Sequence, residues 1–102
     1  MNIATKEHII PKIRKYFACQ PVIRAWLFGS FSRGEETSES DVDILVDFDE
    51  NAHIGLFKFS RIYGDLKEIL GREVDLVKNG TLKSFAVEST NRDKILIYER
   101  GS

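Results

Sequence analysis

The sequence predicts a small α/β (α+β) protein, a mixed β-sheet with helices packed against one face. Three observations lead there. Ile9, Ile10, Ile13, Tyr16 and Phe17 recur at helical spacing. Val42, Ile44, Val46 and Phe48 alternate with Asp41, Asp43, Leu45 and Asp47 at strand spacing. Segments of the two kinds follow one another as α-β-α-β-α-β-α-β within 102 residues.

The opening helix is expected over roughly 5–18, with Pro11 tolerated if the helix begins near His8 and kinking its first turns otherwise. After Pro21, the β-branched and aromatic run Val22 to Phe28 reads as a strand that Gly29 stops. Ser30 to Ser40 is polar and charged, a turn with at most a short helix. Asp41 to Phe48 is the second strand, and Asp49-Glu50-Asn51 a turn. Leu56, Phe59, Ile62, Tyr63, Leu66, Ile69 and Leu70 form a helical stripe that Gly71 caps. Phe57 falls opposite that stripe, as an exposed contact residue or in the loop ahead of the helix. A short third strand follows from Glu73 to Val77, then a short helix around Leu82, Phe85 and Ala86. Ile95 to Tyr98 supplies a fourth strand.

Composition excludes several classes. A chain of 102 residues suits one domain, spanning 1–102. With 15 Lys+Arg against 16 Asp+Glu, direct nucleic-acid binding through a positive field is not expected. The single cysteine, Cys19, excludes an internal disulfide or a cysteine-built zinc site, and reads as a small half-buried side chain. No apolar run approaches a membrane span or a signal core, so a cytoplasmic protein is expected.

The chemistry concentrates on the second strand. Residues two apart on a strand share a face, so Asp41 and Asp43 present adjacent carboxylates. Like charges so placed are unfavourable unless a cation sits between them, and hard divalent ions such as magnesium take such oxygens. Asp75, flanked by Val74 and Leu76, is in phase to join them on the open face. Upstream, Gly29-Ser30 stands where a strand gives way to a turn. Backbone N–H groups and a hydroxyl there suit an anionic phosphate. Taken singly, an Asp-x-Asp reads equally well as a solvated strand edge, and Gly-Ser as an ordinary loop.

Together these residues resemble a known family. Gly29-Ser30-Phe31-Ser32-Arg33-Gly34 followed by Ser40-Asp41-Val42-Asp43-Ile44-Leu45-Val46 is similar to the signature of the minimal nucleotidyltransferases of the DNA polymerase β-like superfamily. Val74-Asp75-Leu76-Val77 resembles the family's later strand with a third carboxylate. Ser32 departs from the usual alanine, and Ile44 from leucine. The resemblance implies the polymerase β-like fold and transfer of a nucleoside monophosphate, AMP from ATP, to a hydroxyl. It implies that Asp41 and Asp43 hold two Mg²⁺ ions (Mn²⁺ as a substitute) and that Asp75 completes the acceptor-side metal site. Gly29 and Ser30 would hold the triphosphate tail. Arg33 would add charge to the pyrophosphate, unless it pairs with Glu35 or Glu36.

The resemblance further implies an antitoxin beside a helical HEPN-type toxin, with a tyrosine of that partner as acceptor and a hetero-oligomer as the working state. Phe57 is the expected apolar anchor, at the rim of the site. Two other functions compete: an antitoxin that neutralises its partner by binding alone, and a small-molecule nucleotidyltransferase. Asp47 and Asp49 read as strand-end and turn acids, since glycine and the twelfth ligand of a calcium loop are missing. His8 and His53 are isolated surface residues. Trp26, in phase with Arg24 and Phe28, reads as packing beside the sheet.

Overall fold

A computed structural model describes residues 6–29, 41–78 and 94–101. Its elements are α1 (Lys6–Phe17), β1 (Val22–Phe28), β2 (Val42–Phe48), a single 3-10 turn (Glu50–Ala52), α2 (Leu56–Leu70), β3 (Val74–Lys78) and β4 (Ile95–Glu99). The expected short helix around Leu82 to Ala86 lies outside the described residues. The four strands form one mixed sheet in the order β3-β2-β1-β4. β1 is antiparallel to both neighbours, and β2 and β3 run parallel. The expected α+β fold is what forms.

α1 begins at Lys6, so Pro11 lies inside it rather than in its first turn and has no N–H to give the carbonyl four residues earlier. Ile9, Ile13 and Phe17, four apart, make its buried stripe. On α2 the stripe is narrower than the periodicity suggests. Ile62, Leu66 and Leu70 are buried, but Leu56 is 78% exposed and Ile69 lies at the surface. The first turn of α2, from Leu56 to Lys58, is exposed throughout, so apolar spacing there has nothing to pack on. Gly71 ends α2 in the left-handed region at φ 65°, its N–H donating to the Lys67 carbonyl at 2.9 Å.

Both stripes cover one face of the sheet, where Val22, Ala25 and Leu27, Val42, Ile44, Val46 and Phe48, Val74 and Leu76, and Ile97 are buried. A bulge between Val22 and Arg24 shifts the strand's phase, so that Val22 and Ala25 both face inward. Phe17 is fully buried, and Phe17→Ala would cost about 3–5 kcal/mol through the cavity it leaves. Two polar contacts tie the helices in place. The Arg14 Nε donates to the Ile97 carbonyl at 2.5 Å, and the Tyr16 hydroxyl donates to Asp65 Oδ2 at 2.6 Å. Burial, then the Asp65 hydrogen bond and charge, push the Tyr16 phenol above its ordinary range.

Candidate active site

The opposite face of the sheet is built in rows, because antiparallel and parallel registers align alternate residues across all the strands. At one end, Asp43 stands opposite Asp75 on β3 and opposite Phe28 on β1. In the middle, Leu45 stands between Val77 and Trp26, with Leu96 of β4 beyond Trp26. At the far end, Arg24 lies between Asp47 and Glu99. The expected open face is therefore only partly open: Leu45 is 1% exposed, whereas Leu96 is at the surface.

Gly29 follows Phe28 with φ 72°, a conformation that disfavours any residue with a Cβ. A Cβ built there would overlap the Asp43 carboxylate, lying 3.0 Å from its Cγ. The turn backbone is thus laid directly against the side chain of Asp43. Asp41 is exposed just ahead of β2, and the following Val42 N–H donates to the Glu73 carbonyl at 2.9 Å. Asp43 is half-buried and Asp75 exposed. The structure brings Gly29, Asp43 and Asp75 together, with Asp41 two residues before Asp43. Ser30 and Arg33 lie outside the described residues, as do Glu35 and Glu36.

Among the described residues, no three acidic, His or Cys side chains are gathered round one point. What the face presents is a paired donor set of hard carboxylate oxygens, Asp43 beside Asp75, under a backbone cradle that only glycine leaves open. That chemistry fits magnesium better than a softer ion.

The remaining candidates separate clearly. Asp47 pairs with Arg24 at 3.3 Å, and Arg24 also meets Glu99 at 3.0 Å. Asp49 caps the 3-10 turn through the Asn51 N–H at 2.9 Å and pairs with Arg100 at 2.8 Å. These acids are structural. His8 and His53 are exposed, and Cys19 is exposed rather than half-buried, because it sits in the turn just beyond α1. Trp26 packs on the sheet as expected, and Lys94 lies over its ring with Nζ 4.5 Å from the centroid. Strand phase was the signal that could have flagged Lys94, two residues before Leu96.

Phe57 is 91% exposed, as expected of a contact residue, but it is not at the rim of the carboxylates. β2 runs five residues from Asp43 to Phe48, roughly 16 Å, before the chain turns into α2. A cleft of about 570 Å³ at that distal end is lined by Phe48, Asp49, His53, Ile54, Gly55 and Lys78, just ahead of the start of α2. This cleft and one of about 440 Å³ along β4 are not lined by Asp43 or Asp75.

Among the described residues, no helix is long and apolar enough to cross a membrane. Residues 10–99 match the nucleotidyltransferase domain family. Over 71 residues the chain is 42% identical to the protein adenylyltransferase MntA of Thermococcus cleftensis, covering 70% of each. A solved structure, provisionally assigned as a minimal nucleotidyltransferase, is 30% identical and superposes with a TM-score of 0.75, covering 93% of this chain and 95% of that one. A complex of a tri-AMPylated Shewanella oneidensis HEPN toxin with an MNT antitoxin contains a chain of the same fold. Its TM-score is 0.69 at 18% identity, over 93% of this chain and 73% of that one.

Proposed function

The chain belongs to the nucleotidyltransferase domain family and is an enzyme of that kind, and we propose that it moves AMP from ATP to a hydroxyl of a helical, HEPN-type toxin, acting as its antitoxin. The observation that carries this reading is the register of β2 and β3, which sets Asp43 beside Asp75 under the Gly29 turn. The adenylyltransferase relative and the AMPylated toxin complex support the donor and the partner class. A tyrosine is the acceptor we propose, and the cytoplasm, where ATP is supplied, is the setting.

In this reading Asp41, Asp43 and Asp75 would hold magnesium, which would stabilise the attacking and leaving oxygens of an in-line displacement. The chain's own groups do the rest. The Gly29 turn, with Ser30, seats the phosphates through backbone N–H groups. Asp75, on the opposite flank of Asp43, accepts the acceptor's proton. The acceptor oxygen bonds to the α-phosphorus as the bond to pyrophosphate breaks, and pyrophosphate leaves with the electron pair.

The test is incubation of the full chain with α-labelled ATP, magnesium and the helical partner that co-purifies with it. The expected result is label on a partner tyrosine, lost with Asp43→Asn. Full neutralisation of the partner by the Asp43→Asn chain, without label, would overturn catalysis in favour of binding alone.

A further inference from the structure

We propose that Lys94 binds the triphosphate tail of the nucleotide and, after transfer, the leaving pyrophosphate. This deepens the nucleotidyltransferase reading and rests on it. β1 and β4 pair Trp26 with Leu96 and Leu27 with Ile95, so the same register carried one residue further sets Lys94 opposite Phe28. Phe28 is opposite Asp43, and Asp43 opposite Asp75. Asp75, Asp43, Phe28 and Lys94 therefore occupy one row. The position of Nζ over the Trp26 ring shows independently that the lysine side chain lies on the carboxylate face, away from the helices.

The order β3-β2-β1-β4 makes that row asymmetric. Asp75 stands on one flank of Asp43; Gly29 and Lys94 stand on the other. An in-line displacement needs the acceptor and the leaving group on opposite sides of the phosphorus. As the acceptor oxygen bonds to that phosphorus and its proton passes to Asp75, the bridging oxygen departs on pyrophosphate with the electron pair. Negative charge then builds on the flank away from Asp75, where a fixed cation stabilises it. Arg24 shares the face but is engaged by Asp47 and Glu99, beyond the row of Leu45 and Trp26. Neighbouring strands are about 4.8 Å apart. Lys94 is two strands from Asp43, a gap that the phosphates of a nucleotide span. Lys94 and Trp26 are both half-buried, and a charge-assisted bond to phosphate competes with the contact between ammonium and indole.

Trp26 is the chain's single tryptophan, so its fluorescence reports on Lys94 directly. The experiment titrates the full chain with ATP, inorganic pyrophosphate and AMP, each with magnesium, following that signal and calorimetry. Lys94→Met should weaken ATP and pyrophosphate at least tenfold and relieve pyrophosphate inhibition of transfer. AMP, which lacks the tail, should bind as before. Lys94→Arg should recover ATP affinity to within about threefold. Lys94→Gln serves if Lys94→Met does not fold, with circular dichroism as the check. A folded variant that binds ATP and pyrophosphate as the wild type does, or loses AMP in equal measure, would overturn the role of Lys94 alone. A wild-type chain that neither binds ATP nor transfers AMP would overturn the catalytic reading and the Lys94 role together.

Discussion

The two ends of β2 carry the same side chain in opposite settings. At its start, the neighbour of Asp43 on β3 is a second acid, Asp75, and the Gly29 turn presses on its carboxylate. Four residues later, the neighbour of Asp47 on β1 is Arg24, which also reaches Glu99. Like charges directly opposed on a sheet are destabilising, and opposite charges are mildly favourable. One end pairs opposite charges, and the other sets two acids side by side, the arrangement proposed to hold magnesium. An apolar row of Val77, Leu45, Trp26 and Leu96 separates them. Acidity does not mark the site; what stands in cross-strand register with each acid does.

Neutralising one acid at each end should break or sharpen that contrast most. Asp43→Asn keeps the volume and removes a carboxylate proposed to hold magnesium. Transfer should fall by more than about 100-fold, beyond what outer partners of a metal site usually cost. The melting temperature should hold or rise, since Asp75 loses a like-charged neighbour. Asp47→Asn should leave transfer within about twofold and change stability by less than about 1 kcal/mol, because its pair with Arg24 is partly exposed. Equal loss of transfer in the two variants, by radiolabel assay, would erase the distinction.

Gly29→Ala comes next. A left-handed conformation costs a residue with a Cβ about 1–2 kcal/mol, and here the new methyl also displaces the Asp43 carboxylate. Nucleotide binding by calorimetry should drop with stability, whereas Gly71→Ala, whose Cβ would meet nothing within 4 Å, should lower stability alone. At the balanced end, Arg24→Met removes two partly exposed pairs and should cost about 1 kcal/mol at most in urea unfolding, with transfer unchanged.

The smallest effect is a titration. The Arg100 guanidinium, and then the Asn51 N–H, hold the Asp49 carboxyl below its ordinary 3.8. A carboxyl with a depressed folded value contributes stability above its unfolded value, and that contribution is lost as pH falls through the folded one. Arg100→Met should move the Asp49 titration, followed by carboxyl NMR, back up toward 3.8. Stability near neutral pH should fall slightly while that at low pH holds, so the acid limb of the profile should flatten.

The fold was legible because its signals are local. Alternation from Val42 to Phe48 named the faces of β2, Gly29 and Gly71 marked the turns where positive φ is needed, and Ile62, Leu66 and Leu70 announced the buried side of α2. Leu56 and Ile69 fit the same periodicity yet are exposed, since spacing says which residues share a face and nothing about how far the sheet beneath extends. Phe57 shows the same limit: its exposure was readable, its distance from the carboxylates was not.

By itself, then, the sequence determined the order of the strands, the common face of Asp41 and Asp43, and the glycine that ends the first strand in a turn. Each depends on period, turn chemistry or residues a few positions apart. Only the tertiary structure decided that Asp75 stands beside Asp43, that Leu45 is buried on the site face, that Arg24 absorbs Asp47, and that Lys94 lies over the Trp26 ring. Those pairings join residues from about twenty to more than fifty positions apart, and no local pattern encodes the register in which strands meet.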